Sequence, residues 1–370
     1  MSEAARLKAE GRDLVDFGAG EPDFATPENI TAAGIAALAA HNTKYTPTAG
    51  TAALRAAIAA AHRRDFGSDY AADDVLVTSG GKHGLFNAIS SLVDDGDEVI
   101  LPAPYWVSFR DQIRYVGATP VLVEAGEAAG FSLSLAAIER ALTPRTRAIL
   151  LNSPNNPSGA VLPPELFRAV LALCREHRLW LLSDECYARL VYDARPYSVG
   201  AEPGARERAI ICGSLSKTYA MTGWRIGYVL APPAARAAML ALQSHSTGNA
   251  TTFAQAGAVE ALSGPQDAVV AMLAAYRERR GLIVAGLNAL PGVSCQLPAG
   301  AFYAWANVSG ALTRLGMSTA NELAQKLLRE AGVVTVPGEV FGGPAHLRFS
   351  YAAAPEVIAA GLQRLRTVLH

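Results

Sequence analysis

The chain has 370 residues, 51% of them hydrophobic and 18% charged, with a mean hydropathy of +0.18; at roughly 100–200 residues per domain this predicts two folded domains and excludes intrinsic disorder. Thirty-two Lys plus Arg against 33 Asp plus Glu leave a formal charge of −1, which provides no basic field for nucleic acid or anionic lipid. Met1–Gly11 alternates charge and alanine with no apolar run behind it, unlike a signal peptide, and no uncharged apolar stretch reaches the roughly 18 residues of a spanning helix. Cys174, Cys186, Cys212 and Cys295 form no CxxC pair, so neither a metal site nor a disulfide framework is expected, and a reducing, cytoplasmic location fits.

In chain order, Thr26-Pro27 opens a first helix and residues 50–66 carry a second. From about residue 70, short β-branched or leucine-rich runs alternate with amphipathic segments, the rhythm of an α/β protein. Strands are predicted at Asp74–Thr78, Glu98–Leu101, Thr119–Val123, Arg147–Asn152, Leu179–Asp184, Ala209–Gly213 and Trp224–Leu230. Several are apolar on both faces, as central parallel strands require. A helix behind Pro163-Pro164 runs toward His177. The expected large domain, residues 31–265, is therefore α/β with a mostly parallel seven-stranded sheet covered by helices.

Residues 1–30 and 266–370 are expected to form a smaller α+β domain. Its elements are a long helix from about Gln266 to Leu290, Val293–Gln296, Ala301–Val308, a helix near Thr319–Glu330, and strands Val333–Val336 and His346–Ser350. A groove between the two domains is the natural ligand site.

The chain contains no HExxH, GxSxG, Walker loop or GxGxxG after a first strand, which removes several common hydrolase and nucleotide-binding readings. Ser214-Leu215-Ser216-Lys217 matches the SxxK of serine acyl enzymes, but the companion SDN and KTG elements are missing. In Gly213–Tyr228, the hydroxyls of Ser214 and Ser216 and the guanidinium of Arg225 would suit a phosphate. Lys217, at the end of an apolar strand, would become a nucleophile toward aldehydes if desolvated; an ordinary turn with a solvated lysine is the plainer alternative.

Asp184 closes another apolar strand, where open α/β sheets bind ligands, and there it needs a cationic partner such as a protonated ring nitrogen. A cap on the following turn is the competing role. Tyr187, three residues on, and Asn156 in the turn Asn152–Gly159 are candidate donors to an oxygen on the same ring. At Thr78–Gly84 a strand stops at glycines and a helix begins, presenting free backbone N–H groups, including those of Gly81 and Lys82, to an anion.

Taken together, these segments resemble the class I/II, aspartate aminotransferase-like, fold-type I transferases that depend on pyridoxal 5'-phosphate. The resemblance spans almost the whole chain: Gly20-Glu21-Pro22-Asp23-Phe24, Tyr45, Gly80-Gly81-Lys82, Pro104-Tyr105-Trp106, Asn155-Asn156-Pro157, Ser183-Asp184-Glu185 with Tyr187, Lys217, and Arg348-Phe349-Ser350. It implies a Schiff-base lysine at Lys217, Asp184 on the pyridinium nitrogen, Tyr187 and Asn156 on the phenolic oxygen, and Trp106 on the ring face. Gly81, Lys82, Ser214, Ser216 and Arg225 would hold the phosphate, and Arg348, beside Gly20, the substrate α-carboxylate.

By the same resemblance, Tyr45 and the segment Ser246–Asn249 would come from a neighbouring subunit, hence a homodimer with shared sites. The reaction implied is ping-pong exchange of an amino group between an L-amino acid and a 2-oxo acid. One branch of the family carries an arginine for the distal carboxylate where this chain has Ser244; in the other branch the lysine of Gly-Gly-Lys, here Lys82, does that work. Aspartate or glutamate is therefore the favoured donor, against an aromatic or broad preference or a β-lyase on the same scaffold. The segment before Gly20 is shorter than in relatives, where a longer arm helps cover the site.

Overall fold

A computed structural model describes residues 3–370; Met1 and Ser2, the start of the N-terminal stretch discussed above, lie outside the described residues. The first eight strands are β1 (Val15–Asp16), β2 (Val75–Thr78), β3 (Glu98–Ala103), β4 (Thr119–Glu124), β5 (Thr146–Asn152), β6 (Trp180–Asp184), β7 (Ala209–Ser214) and β8 (Gly227–Leu230). They are followed by β9 (Ser294–Cys295), β10 (Tyr303–Asn307), β11 (Val333–Val334), β12 (Val336–Pro337) and β13 (His346–Ser350).

Strands β2 to β8 form one sheet in the order β2-β8-β7-β6-β5-β3-β4. Pairing from β4 through β7 is parallel, and β8 alone runs antiparallel to its neighbours β7 and β2. All seven predicted strands form. The last begins three residues late, because Trp224–Ile226 lies in a turn where Arg225 has φ +56°, outside the extended region a strand needs. Side chains alternate across the sheet with period two: Ile149, Leu151, Leu181 and Ile211 join one apolar cluster, and Leu150, Leu182, Ile210 and Cys212 the other. Helices such as Gly81–Leu92 and Pro164–Glu176 bury these faces. The fold is thus α/β with a covered, mostly parallel seven-stranded sheet.

A second, antiparallel sheet has the order β12-β13-β10-β9, and β1 pairs with β11 in parallel. The strand expected across Val333–Val336 is split in two because its halves bond to different sheets: β11 to β1, and β12 to β13. The helix expected near Thr319–Glu330 runs Ala320–Lys326, opened by a Thr319/Glu322 capping box, and ends in a wider turn over Leu327–Ala331. A third apolar cluster joins Val15 and Phe17 to Ile283, Leu323, Phe349 and Leu365, and also takes in Tyr187, Leu190 and Tyr192 from the loop after β6. That loop ties the carboxyl edge of the large sheet to the second sheet.

Candidate active site

Parallel strands β5, β6 and β7 end on one edge at Asn152, Asp184 and Ser214, with Asn152 directly beside Asp184 in register. A cavity of about 440 Å³ opens there and reaches the second sheet at Tyr303 and Arg348. Gly20, Gly81, Lys82, Trp106, Asn156, Asp184, Tyr187, Ser214, Ser216, Lys217, Arg225 and Arg348 all line it. Tyr45 does not: it is 97% exposed on the surface of its own chain. Of the segment Ser246–Asn249, Thr247 lies 3.3 Å from His83 Nε2 at the start of the helix Gly81–Leu92, outside the cavity lining.

Asp184 is buried, and its Oδ1 accepts from the Cys186 backbone N–H at 3.1 Å, so the cap role is real but engages one oxygen. Among the described residues no cationic side chain pairs with it. Burial pushes its pKa up to about 7, the mark of a carboxyl that lacks a positive neighbour. Residues 186–189 form a hydrogen-bonded turn rather than a helix, and this turn brings Tyr187 to the cavity beside Asp184.

Lys217 follows β7 and its Nζ donates to the Gly20 carbonyl. Burial holds its pKa below the ordinary lysine range; Cys186 and Glu21 oppose the shift, and Arg225 and Arg348 add to it. With this bond directed to Gly20, and Ser214 Oγ accepting instead from the Ser216 N–H at 3.1 Å, no lysine-activated serine is assembled.

The cradle expected for an anion depends on two close approaches. Gly80 has φ +89°, and a Cβ there would fall 2.3 Å from Arg225 Nη2; a Cβ on Gly227 would fall 2.4 Å from Gly81 N. Glycine at both positions lets β8 and the glycine turn pack backbone to backbone. This packing aims the free amides of the first turn of Gly81–Leu92 and the Arg225 guanidinium at one place, beside Ser214 and Ser216. Arg225 is itself held by the carbonyls of Thr222, at 2.9 Å, and Ser79.

Across the cavity Arg348, on β13, is 6% exposed and has no carboxylate partner among the described residues. Its Nη1 donates to Asn156 Oδ1 at 3.0 Å and its Nη2 to the Gly18 carbonyl at 2.8 Å, while Nε is buried without a partner. The guanidinium lies 4.4 Å from the Tyr303 ring centre. Lys82 Nζ lies 4.9 Å from the ring centre of Trp106. Leu85, Val107, Val336, Val340 and Phe341 make an apolar wall.

Sequence reasoning missed Tyr303, Asn152, Cys186 and this wall as site residues. Tyr303 sits on a strand whose pattern reads as core, and only the register that sets Tyr303 against Ser350 and Trp305 against Arg348 brings it to the site.

Residues 12–365 match the family model described as aminotransferase class I and II. The aspartate aminotransferase of Geobacillus stearothermophilus is 41% identical over 98% of this chain and 93% of that protein. The aspartate/prephenate aminotransferase of Cereibacter sphaeroides is 42% identical over 99% and 93%. Among solved structures, Thermus thermophilus aspartate aminotransferase with maleate superposes with a TM-score of 0.94 at 41% identity, covering 100% of this chain and 95% of that one. An end-to-end match of this kind, together with a buried amine and an uncompensated carboxyl facing one cavity, leads to one conclusion: the chain is an enzyme belonging to the class I and II aminotransferases.

Proposed function

We propose that the chain uses pyridoxal phosphate to move the amino group of L-aspartate or L-glutamate to a 2-oxo acid in a ping-pong cycle. One observation carries this reading: the Asp184 carboxyl is buried without a cation while the Lys217 amine, also buried, faces the same cavity. When bound, the cofactor supplies a carbon that condenses with amines and a ring that accepts an electron pair. The residues present fit it. Asp184 would meet its ring nitrogen, Tyr187 and Asn156 its phenolic oxygen, Trp106 its face, and the cradle of Gly81, Lys82, Ser214, Ser216 and Arg225 its phosphate.

Arg348 binds the donor's α-carboxylate in a forked contact, already oriented by Asn156 and Gly18. Lys217 Nζ, kept toward its neutral form by burial, takes the proton from the donor's α-carbon. Lys82 lies over Trp106 at the mouth, where a single ammonium would meet a distal carboxylate. The apolar wall favours a second reading, a larger or aromatic partner substrate; the Cereibacter relative's name joins prephenate to aspartate. Two further parts of the proposal are a homodimer in which Tyr45 reaches the partner's site and a cytoplasmic location. Its exposure supports the first; the four free cysteines and the lack, among described residues, of a helix able to cross a membrane support the second.

The test is the visible spectrum of the purified protein with pyridoxal phosphate, before and after L-aspartate, L-glutamate or L-phenylalanine, with Lys217→Ala alongside. Wild type should show a band that aspartate or glutamate converts with release of the matching keto acid, and Lys217→Ala should lose turnover. Pyruvate and ammonia without an acceptor would replace the transaminase reading with a β-lyase. Absence of any chromophore would remove the cofactor assignment.

A further inference from the structure

Tyr303 is 1% exposed, and its hydroxyl has one hydrogen-bond partner among the described residues, the Tyr187 hydroxyl at 2.7 Å. Its ring carries the Arg348 guanidinium 4.4 Å from the centre, and its oxygen would lie 3.0 Å from a Cβ on Gly20, the residue whose carbonyl holds Lys217. One side chain on the second sheet thus touches the tyrosine, the arginine and the loop that surround the cavity, and no sequence motif marks it.

A tyrosine hydroxyl donates one hydrogen bond and accepts up to two. If Tyr187 spent its proton on Tyr303, it would have none for an oxygen in the cavity. The charge of Arg348 over the Tyr303 ring makes Tyr303 the more acidic phenol of the pair and hence the better donor. Burial raises both phenols, but Arg348 is the leading opposing influence on Tyr303, whereas on Tyr187 it is the smallest of several.

We propose that Tyr303 is a positioning residue: by donating to Tyr187 it turns the Tyr187 proton into the cavity, toward the ring oxygen of the cofactor. This inference rests on the proposed cofactor. A hydroxyl that accepts a hydrogen bond also donates a stronger one, so Tyr303 should make the Tyr187 contact tighter and the ring oxygen less basic.

Tyr303→Phe tests this, because it removes the hydroxyl and keeps the ring beneath Arg348. Loss of one hydrogen bond of about 0.5–1.5 kcal/mol corresponds to a change of roughly 2–10-fold. Cofactor affinity should fall by about that factor, and the pH midpoint of the bound cofactor's absorbance change should rise by about 0.3–1 unit. The turnover number should fall while KM for the amino donor stays level, since Arg348 keeps its support. In a Tyr187→Phe background the same substitution should add almost nothing.

An unmoved midpoint with a normal wild-type spectrum, or equal effects in both backgrounds, would overturn the role of Tyr303 and leave the proposed function standing. A wild-type protein with no chromophore would overturn both. Melting of the apoproteins separates these outcomes from misfolding, and Tyr303→Leu, which removes the ring as well, should raise KM where Tyr303→Phe does not.

Discussion

The buried acids Asp184 and Glu185 at the end of β6 make the stability of the fold sensitive to pH. Asp184 and Glu185 are both held up at about 7, mainly by burial, whereas in the unfolded chain such groups lose their protons near pH 4. A folded-state pKa above the unfolded one gives stability that is full below pH 4 and lost as pH rises through 7. The apoprotein's Tm should therefore fall from about pH 4 to pH 7, with buried His62, whose pKa burial lowers to about 3, offsetting part of that fall. Asp184→Asn should reduce that fall, leaving the opposed contributions of Glu185 and His62, and adding pyridoxal phosphate should flatten it where Asp184 meets the ring nitrogen as proposed. A level or rising apoprotein Tm across this range would contradict the burial argument. On the proposed pairing of Asp184 with the cofactor's ring nitrogen, Asp184→Asn should also cost turnover roughly 100-fold or more, from about 3–5 kcal/mol. At Lys82 the effect should separate by substrate. Lys82→Ala should raise KM for aspartate by about 10- to 150-fold, the scale of a 1.5–3 kcal/mol bond to a charged group, and leave phenylalanine almost unchanged in steady-state assays.

Among elements, the junction of β8, β7 and the helix Gly81–Leu92 is the most constrained. Gly227→Ala would force a methyl against Gly80 C and Gly81 N, both 2.4 Å away and both backbone, so the strand or the helix start must shift. Overpacking of this kind costs about 1–3 kcal/mol, and thermal melting should show it. The anion cradle moves with that shift, so affinity for pyridoxal phosphate should fall more than affinity for pyridoxal, which lacks the phosphate; equal losses would place the damage elsewhere. This junction was partly legible in sequence, since Gly80-Gly81 between a predicted strand and helix implied a turn with free backbone amides, suited to an anion. The matching need at Gly227 was not, because β8 reaches it from nearly 150 residues away in the chain.

For the whole molecule, the exposure of Tyr45 bears on how many chains make a site. A tyrosine 97% exposed on its own chain has no intramolecular reason to matter for cofactor binding, yet a site shared across a two-fold interface would bury it. Tyr45→Ala and Lys217→Ala homodimers should each be impaired. Hybrids made by refolding the two together contain one site with Lys217 from one chain and Tyr45 from the other, both intact. Random mixing makes about half the dimers hybrid, each with one good site of two, so activity should recover to about a quarter of wild type. Failure to recover, with hybrids demonstrated by native mass spectrometry, would place Tyr45 outside the partner's site.

Local pattern determined much of this protein. Seven strands, the ends that carry Asn152 and Asp184, and the glycine turn could all be read from runs of apolar residues and from what stops them, because strand burial and turn chemistry depend on neighbours in sequence. Twelve of the thirteen residues predicted for the site line one cavity for the same reason: most sit at strand ends or turns that a parallel sheet must gather on one edge. Tertiary structure alone decided the rest. The division of Val333–Val336 between two sheets, the pairing of β1 with β11, and the contact between Tyr303 and Tyr187 join residues far apart in the chain. Their partners are chosen by register and packing across the whole fold, and no window of sequence contains that information.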